Sequence, residues 1–140
     1  MKLTLTTSQI KDIHNLLLHS RSNSLDDADR IKIIILRQSV KTIGQSYTEF
    51  DNDARETLKF ENFDTLRAKA EAHVLAGEEL LAWNIGVTNY MKSLNAALEV
   101  ELAKEYCVEV EPISQAVFLK LSKENDWSNA AWDILAPVIK

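Results

Sequence analysis

Apolar residues recur along this chain at alternating steps of three and four. The longest ladder runs Ile33, Leu36, Val40, Ile43, Tyr47, Phe50, Ala54 and Leu58. A stripe with a period near 3.5 residues is the seam of a helix packed lengthwise against a partner. Asp26, Asp27 and Asp29 precede it, where carboxylates suit the positive end of a helix dipole. The pattern predicts a helix of about 30 residues, roughly 45 Å long at 1.5 Å per residue. Ile31, Ile34 and Ile35 widen the stripe at its start. They predict burial on two sides there, or a broad patch for self-association.

A second ladder passes through Phe63, Leu66, Ala70, His73, Gly77, Leu80, Asn84, Val87, Met91, Leu94, Leu98 and Leu102. Lys59 to Asp64 is the turn between the ladders, with Asn62 or Asp64 as the helix cap. The stretch from Trp83 to Thr88 is rich in branched residues and holds Gly86, so a kink or break is expected between Gly77 and Thr88. Residues 89–105 are expected to be helical, and His73 to lie in the helix seam.

Two short segments alternate with a period of two, the mark of a half-buried strand. These are Lys2 to Thr6 and Cys107 to Glu111, and they are expected to pair. Thr7 or Ser8 can cap a helix carrying Ile10, Ile13, His14 and Leu17. Ser114 caps another, and Trp127 or Ser128 begins a last one stopped by Pro137. The fold class is mainly α. It is expected to be a long antiparallel helical hairpin with a two-stranded pairing of the N-terminus with residues 107–111, and two small C-terminal helices. All 140 residues are expected in one domain.

The net charge of −5 disfavours non-specific attraction to nucleic acid. Arg30, Lys32, Arg37 and Lys41 on the second helix read as a solvated stripe. Glu99, Glu101, Glu105, Glu109 and Glu111 form the densest acidic stretch, either a solvated face or a dock for a basic partner. Cys107 is the sole cysteine, which points to a reducing, cytoplasmic setting. No apolar signal core opens the chain, and no run is long enough to suggest a membrane span.

Chemistry is scarce. The three glycines are isolated, with no phosphate-cradling loop. His14 and His19 are five apart, off a common helical face, and no metal or cofactor is expected. Asp51-Asn52-Asp53 starts like a calcium loop, but Arg55 stands where a ligand is needed. Cys107 lies among acids, which disfavour its thiolate. Trp83, Trp127 and Trp132 are candidate interface anchors, since tryptophan is favoured at hot spots.

The order of elements resembles small bacteriophage proteins encoded among tail and morphogenesis genes. The residues that carry the likeness are the Met1-Lys2-Leu3-Thr4-Leu5-Thr6 strand, the Leu102-Ala103-Lys104-Glu105-Tyr106 helix end, the Val108 to Ser114 strand and the closing Trp132 to Ile139 helix. The resemblance implies a non-enzymatic, phage-borne interaction protein, a structural component or assembly factor in head–tail or tail morphogenesis. The alternative is a small regulatory helical protein that binds or inhibits a host or phage partner. Its partners would be proteins, including copies of itself, in the host cytoplasm or the virion. The candidate interaction residues are Ile31, Ile34, Ile35, Trp83, Trp127, Trp132, Glu99, Glu101 and Glu105.

Overall fold

The computed structural model describes Met1–Lys140. In chain order the elements are β1 (Lys2–Thr6), α1 (Thr7–Leu18), α2 (Asp27–Thr57), α3 (Phe63–Glu71), α4 (Gly77–Leu102), β2 (Glu105–Glu109), α5 (Gln115–Asn125), α6 (Ala130–Leu135) and a 3-10 turn (Ala136–Val138). The fold is mainly α, with a long helix pair, one two-stranded sheet and small C-terminal helices, as the periodicities predict. The chain divides into two compact units, one of Met1–Thr48 with Leu102–Lys140 and one of Glu49–Glu101.

In the first unit, β1 and β2 pair antiparallel, with Lys2 opposite Glu109 and Thr6 opposite Glu105. The second strand starts two residues earlier than expected. Its face is the expected one: Val108 and Val110 are buried, and Tyr106 packs beside them. Alternation specifies which side chains turn inward, but not where pairing ends. Glu105 therefore belongs to the sheet, not to the preceding helix, which stops at Leu102.

Thr6, not Thr7 or Ser8, caps α1. Its hydroxyl accepts from the Gln9 N–H at 3.2 Å, and the Gln9 side chain accepts from the Thr6 N–H at 2.9 Å. This reciprocal capping box satisfies two orphan donors. Thr7 is the first helical residue and is buried, its N–H donating to the Lys104 carbonyl at 2.8 Å. Ile10, Ile13, His14 and Leu17 form the buried face. On α2 the Asp26 carboxylate accepts the Asp29 N–H at 2.8 Å, and Ile33, Leu36, Val40, Gly44 and Tyr47 are buried.

One core joins α1, the first part of α2, the sheet and the C-terminal helices. Gly44 is needed where α1 meets α2. A Cβ there would stand 2.7 Å from the His14 ring. Ser114 caps α5 as expected, accepting from the Val117 N–H at 3.2 Å. The last helix begins at Ala130 instead of Trp127 or Ser128. Pro137 continues the chain as a 3-10 turn, since proline fits the opening of a helical turn.

In the second unit the later ladder is two helices. The break falls at residues 72–76, and α4 runs unbroken through the stretch where a kink was expected. Two bonds end α3: the His73 N–H to the Ala70 carbonyl and the Val74 N–H to the Lys69 carbonyl, at 3.1 and 3.0 Å. This is a Schellman closure with His73 at φ 58°, the left-handed position usually held by glycine. His73 is thus an exposed helix terminator, not a seam residue. Asn62 precedes α3 at φ 64° and makes no side-chain cap bond, contrary to expectation. Asp64 sits in the first turn of α3, with its carboxylate 3.1 Å from Lys59 Nζ.

Gly86 explains why α4 tolerates a glycine. A Cβ there would stand 2.6 Å from the Phe60 ring, so the bare backbone makes room for an aromatic nest. Phe60, Phe63, Trp83 and Tyr90 have neighbouring ring centroids 5.0 to 6.0 Å apart. The Tyr90 hydroxyl donates to the Arg55 carbonyl at 3.2 Å, tying α4 to the end of α2. No helix is long and apolar enough to cross a membrane.

Candidate interaction surfaces

The helix α4 contains far more apolar residues than it buries. Only Leu94 is buried along its length, while Leu80, Leu81, Ile85, Met91 and Val100 are exposed. Successive residues turn by about 100°, so Glu78, Leu81, Ile85 and Lys92 fall within one narrow sector, opposite the side that carries Leu94 and Trp83. Leu81 is 61% exposed and Ile85 55%. Glu79 is engaged by Lys69 at 2.6 Å, whereas Glu78 and Lys92 stand outside any ion pair. None of these four residues stands out from the ladder alone. The signal lies in the apolar residues the ladder omits, since a helix apolar all round needs a cover on every side.

Trp83 belongs to the aromatic nest and is half-buried. Trp127 and Trp132 do not share a helix, because Asp126 ends α5 in the left-handed conformation and Trp127 lies beyond it. Both pack on Phe118. The Trp127 ring is 6.1 Å away and tilted, and the Trp132 ring is 5.1 Å away and edge-on. Trp127 is half-buried, and Trp132 remains exposed beside the exposed Leu119. The acidic candidates are dispersed over two elements. Glu99 and Glu101 are near the end of α4, exposed and half-buried respectively, and Glu105 is exposed in β2.

The broadened start of α2 is not buried on two sides. Ile33 and Leu36 take the core, Ile35 is half-buried, and Ile31 and Ile34 stay 55% and 44% exposed. The first unit offers only one core-facing stripe to this helix, and the stripe through Ile31, Ile34, Gln38 and Lys41 lies beside it. Ile34 borders a groove of about 290 Å³ between α1 and α2, lined also by the buried Leu17 and Val40 and the exposed Leu18. His14, Arg37, Gln38 and Lys41 supply its polar lining. His14 is only 8% exposed. Burial pushes its pKa below the ordinary histidine value, and the neighbouring Lys41 charge pushes the same way.

No three His, Cys, Asp or Glu side chains gather in a cluster able to hold a metal ion. Cys107 is exposed on β2. No family model, no curated protein and no solved structure matches this chain.

Proposed function

We propose a non-enzymatic interaction protein that pairs with a second copy of itself through α4, serving as a structural component or assembly factor in virion morphogenesis. The observation that carries the pairing is the open apolar face at Leu81 and Ile85. Apolar surface in a contiguous stripe gains free energy by leaving water, at roughly 25 cal/mol per Å². The charges on that face suit a two-fold, antiparallel partner. Glu78 lies one heptad before Ile85 and Lys92 one heptad after it. Laying Ile85 against Ile85 of a second copy sets each Glu78 opposite the other copy's Lys92, which is what an isologous interface requires.

The virion setting rests on the resemblance of the element order to phage morphogenesis proteins. Its check is gene context: neighbours encoding portal or tail proteins are expected, and neighbours of a single metabolic operon would remove that setting. Light scattering on the purified chain tests the pairing. A dimer is expected for the natural sequence and a monomer for Ile85→Asp, which should fold because Ile85 is exposed. Glu78→Lys is expected to weaken the dimer, and adding Lys92→Glu to restore it. A natural chain that stays monomeric at hundreds of micromolar would end this reading.

A further inference from the structure

The groove between α1 and α2 differs in chemistry from the α4 face. Half its lining is apolar, and the other half holds two permanent cations and no carboxylate, in a chain whose net charge is −5. Two of its polar groups, Arg37 and His14, are held in place by contacts with the fold. Arg37 is anchored by Nη2, which donates to the Ser20 carbonyl and, at 2.9 Å, to the Ser20 hydroxyl. That anchoring leaves the Arg37 Nε–H buried without an acceptor. A buried donor left unmade is a standing cost to the fold at this position. His14 is pressed against the bare backbone of Gly44. Lys41 stands exposed at the rim.

We propose that this groove binds a monocarboxylate with a short unbranched apolar tail. The tail lies on Leu17, Leu18, Ile34 and Val40, and the carboxylate sits among His14, Arg37 and Lys41. A carboxylate pairs with the Arg37 and Lys41 charges and is less heavily hydrated than a phosphate, so it suits a site with an apolar lining. It also supplies the one acceptor type the lining lacks. Binding gathers the anion beside His14 and so favours the imidazolium. Affinity therefore rises as pH falls.

The charged groups facing His14 from α2 are Arg37 and Lys41. On α1 itself Lys11 and Asp12 pair at 3.2 Å, and Asp133 of α6 lies on the Asp12 side of that helix. None of these places an acid in the groove.

The test is an NMR and calorimetric titration of the full chain with octanoate. Acetate serves as the tail control and octanamide as the charge control. Saturable octanoate binding is expected, with the His14 ring signals moving, and with acetate and octanamide at least about tenfold weaker. Lys41→Glu is expected to weaken octanoate by about tenfold or more. Lys41 is exposed, so the variant should keep its fold, and Lys41→Gln gives a second, milder test. Octanoate affinity should rise from pH 7.5 to 5.5, and His14→Asn should flatten that dependence. Octanamide binding as tightly as octanoate, an unchanged affinity in both Lys41 variants, or shifts confined to residues away from the groove would each overturn the proposal.

Discussion

At the scale of single residues, Gly44 and His14 form one unit of design. Gly44 is buried in the middle of a 31-residue helix, where glycine costs about 1 kcal/mol relative to alanine. Replacing it with alanine would normally stabilise such a helix. Here the new methyl would meet His14 at Cγ and Cβ, at 2.7 and 2.8 Å, close to the backbone rather than at a movable tip. Overpacking of this kind costs roughly 1–3 kcal/mol. Gly44→Ala is therefore expected to lower the urea midpoint despite its better helix propensity.

His14 adds a pH dependence whose sign follows from burial. In the unfolded chain it titrates near the ordinary value, and in the fold it titrates lower. Above about pH 6.5 it is neutral in both states and the fold keeps its full stability. As pH falls below that, the unfolded chain takes up the proton first, and stability is lost until the folded pKa is passed. Denaturation at pH 7.5 and 5.5 should show this drop, and His14→Gln should shrink it.

At the scale of elements, periodicity exposed the faces of the first unit better than their ends, whereas the second ladder placed Leu80 and Met91 in a seam and both are exposed. Ile33, Leu36 and Val40 are buried as the first ladder predicts, and Val108 and Val110 point inward as alternation predicts. Where an element stops depends on hydrogen bonds that apolar spacing does not carry. The Thr6–Gln9 capping box displaced the start of α1 by one residue. The break after α3 fell at His73, where a histidine took the left-handed closing position, while Gly77, also left-handed at φ 60°, opens α4. Gly86 looked like a breaker and is instead a packing site for Phe60. The groove was hidden for a different reason: His14 reads as core and Lys41 as solvated stripe, and only the crossing of α1 over α2 brings them together.

The α3 terminus yields a direct test. His73→Gly removes the left-handed penalty while leaving the two closing bonds intact, and should stabilise the end of α3 by about 0.5–1 kcal/mol. Slower amide exchange at position 73 and at Val74 would register the gain. Faster exchange would mean that the histidine side chain contributes to the closure.

At the scale of the whole molecule, burial is distributed unequally between the two units. The contiguous core, from Leu5 through Val138, belongs to Met1–Thr48 with Leu102–Lys140. Within Glu49–Glu101 the buried apolar residues are Phe63, Leu66 and Leu94, supplemented by the half-buried aromatic nest. A segment with few buried apolar contacts opens at a lower free energy than one that holds the core. Native-state hydrogen exchange on a dilute sample should therefore find the amides of 80–95 opening below the global unfolding free energy, while those near Ile10, Ile13 and Leu36 open only globally. The same measurement bears on the pairing through α4. Covering Leu81 and Ile85 with a second copy would add free energy to that segment by mass action. Protection of 80–95 should then rise with protein concentration, while protection near Leu36 stays flat, and Ile85→Asp should abolish the rise. Equal protection of both segments at low concentration would mean that α4 needs no cover, and its apolar face would then lose its explanation as an interface.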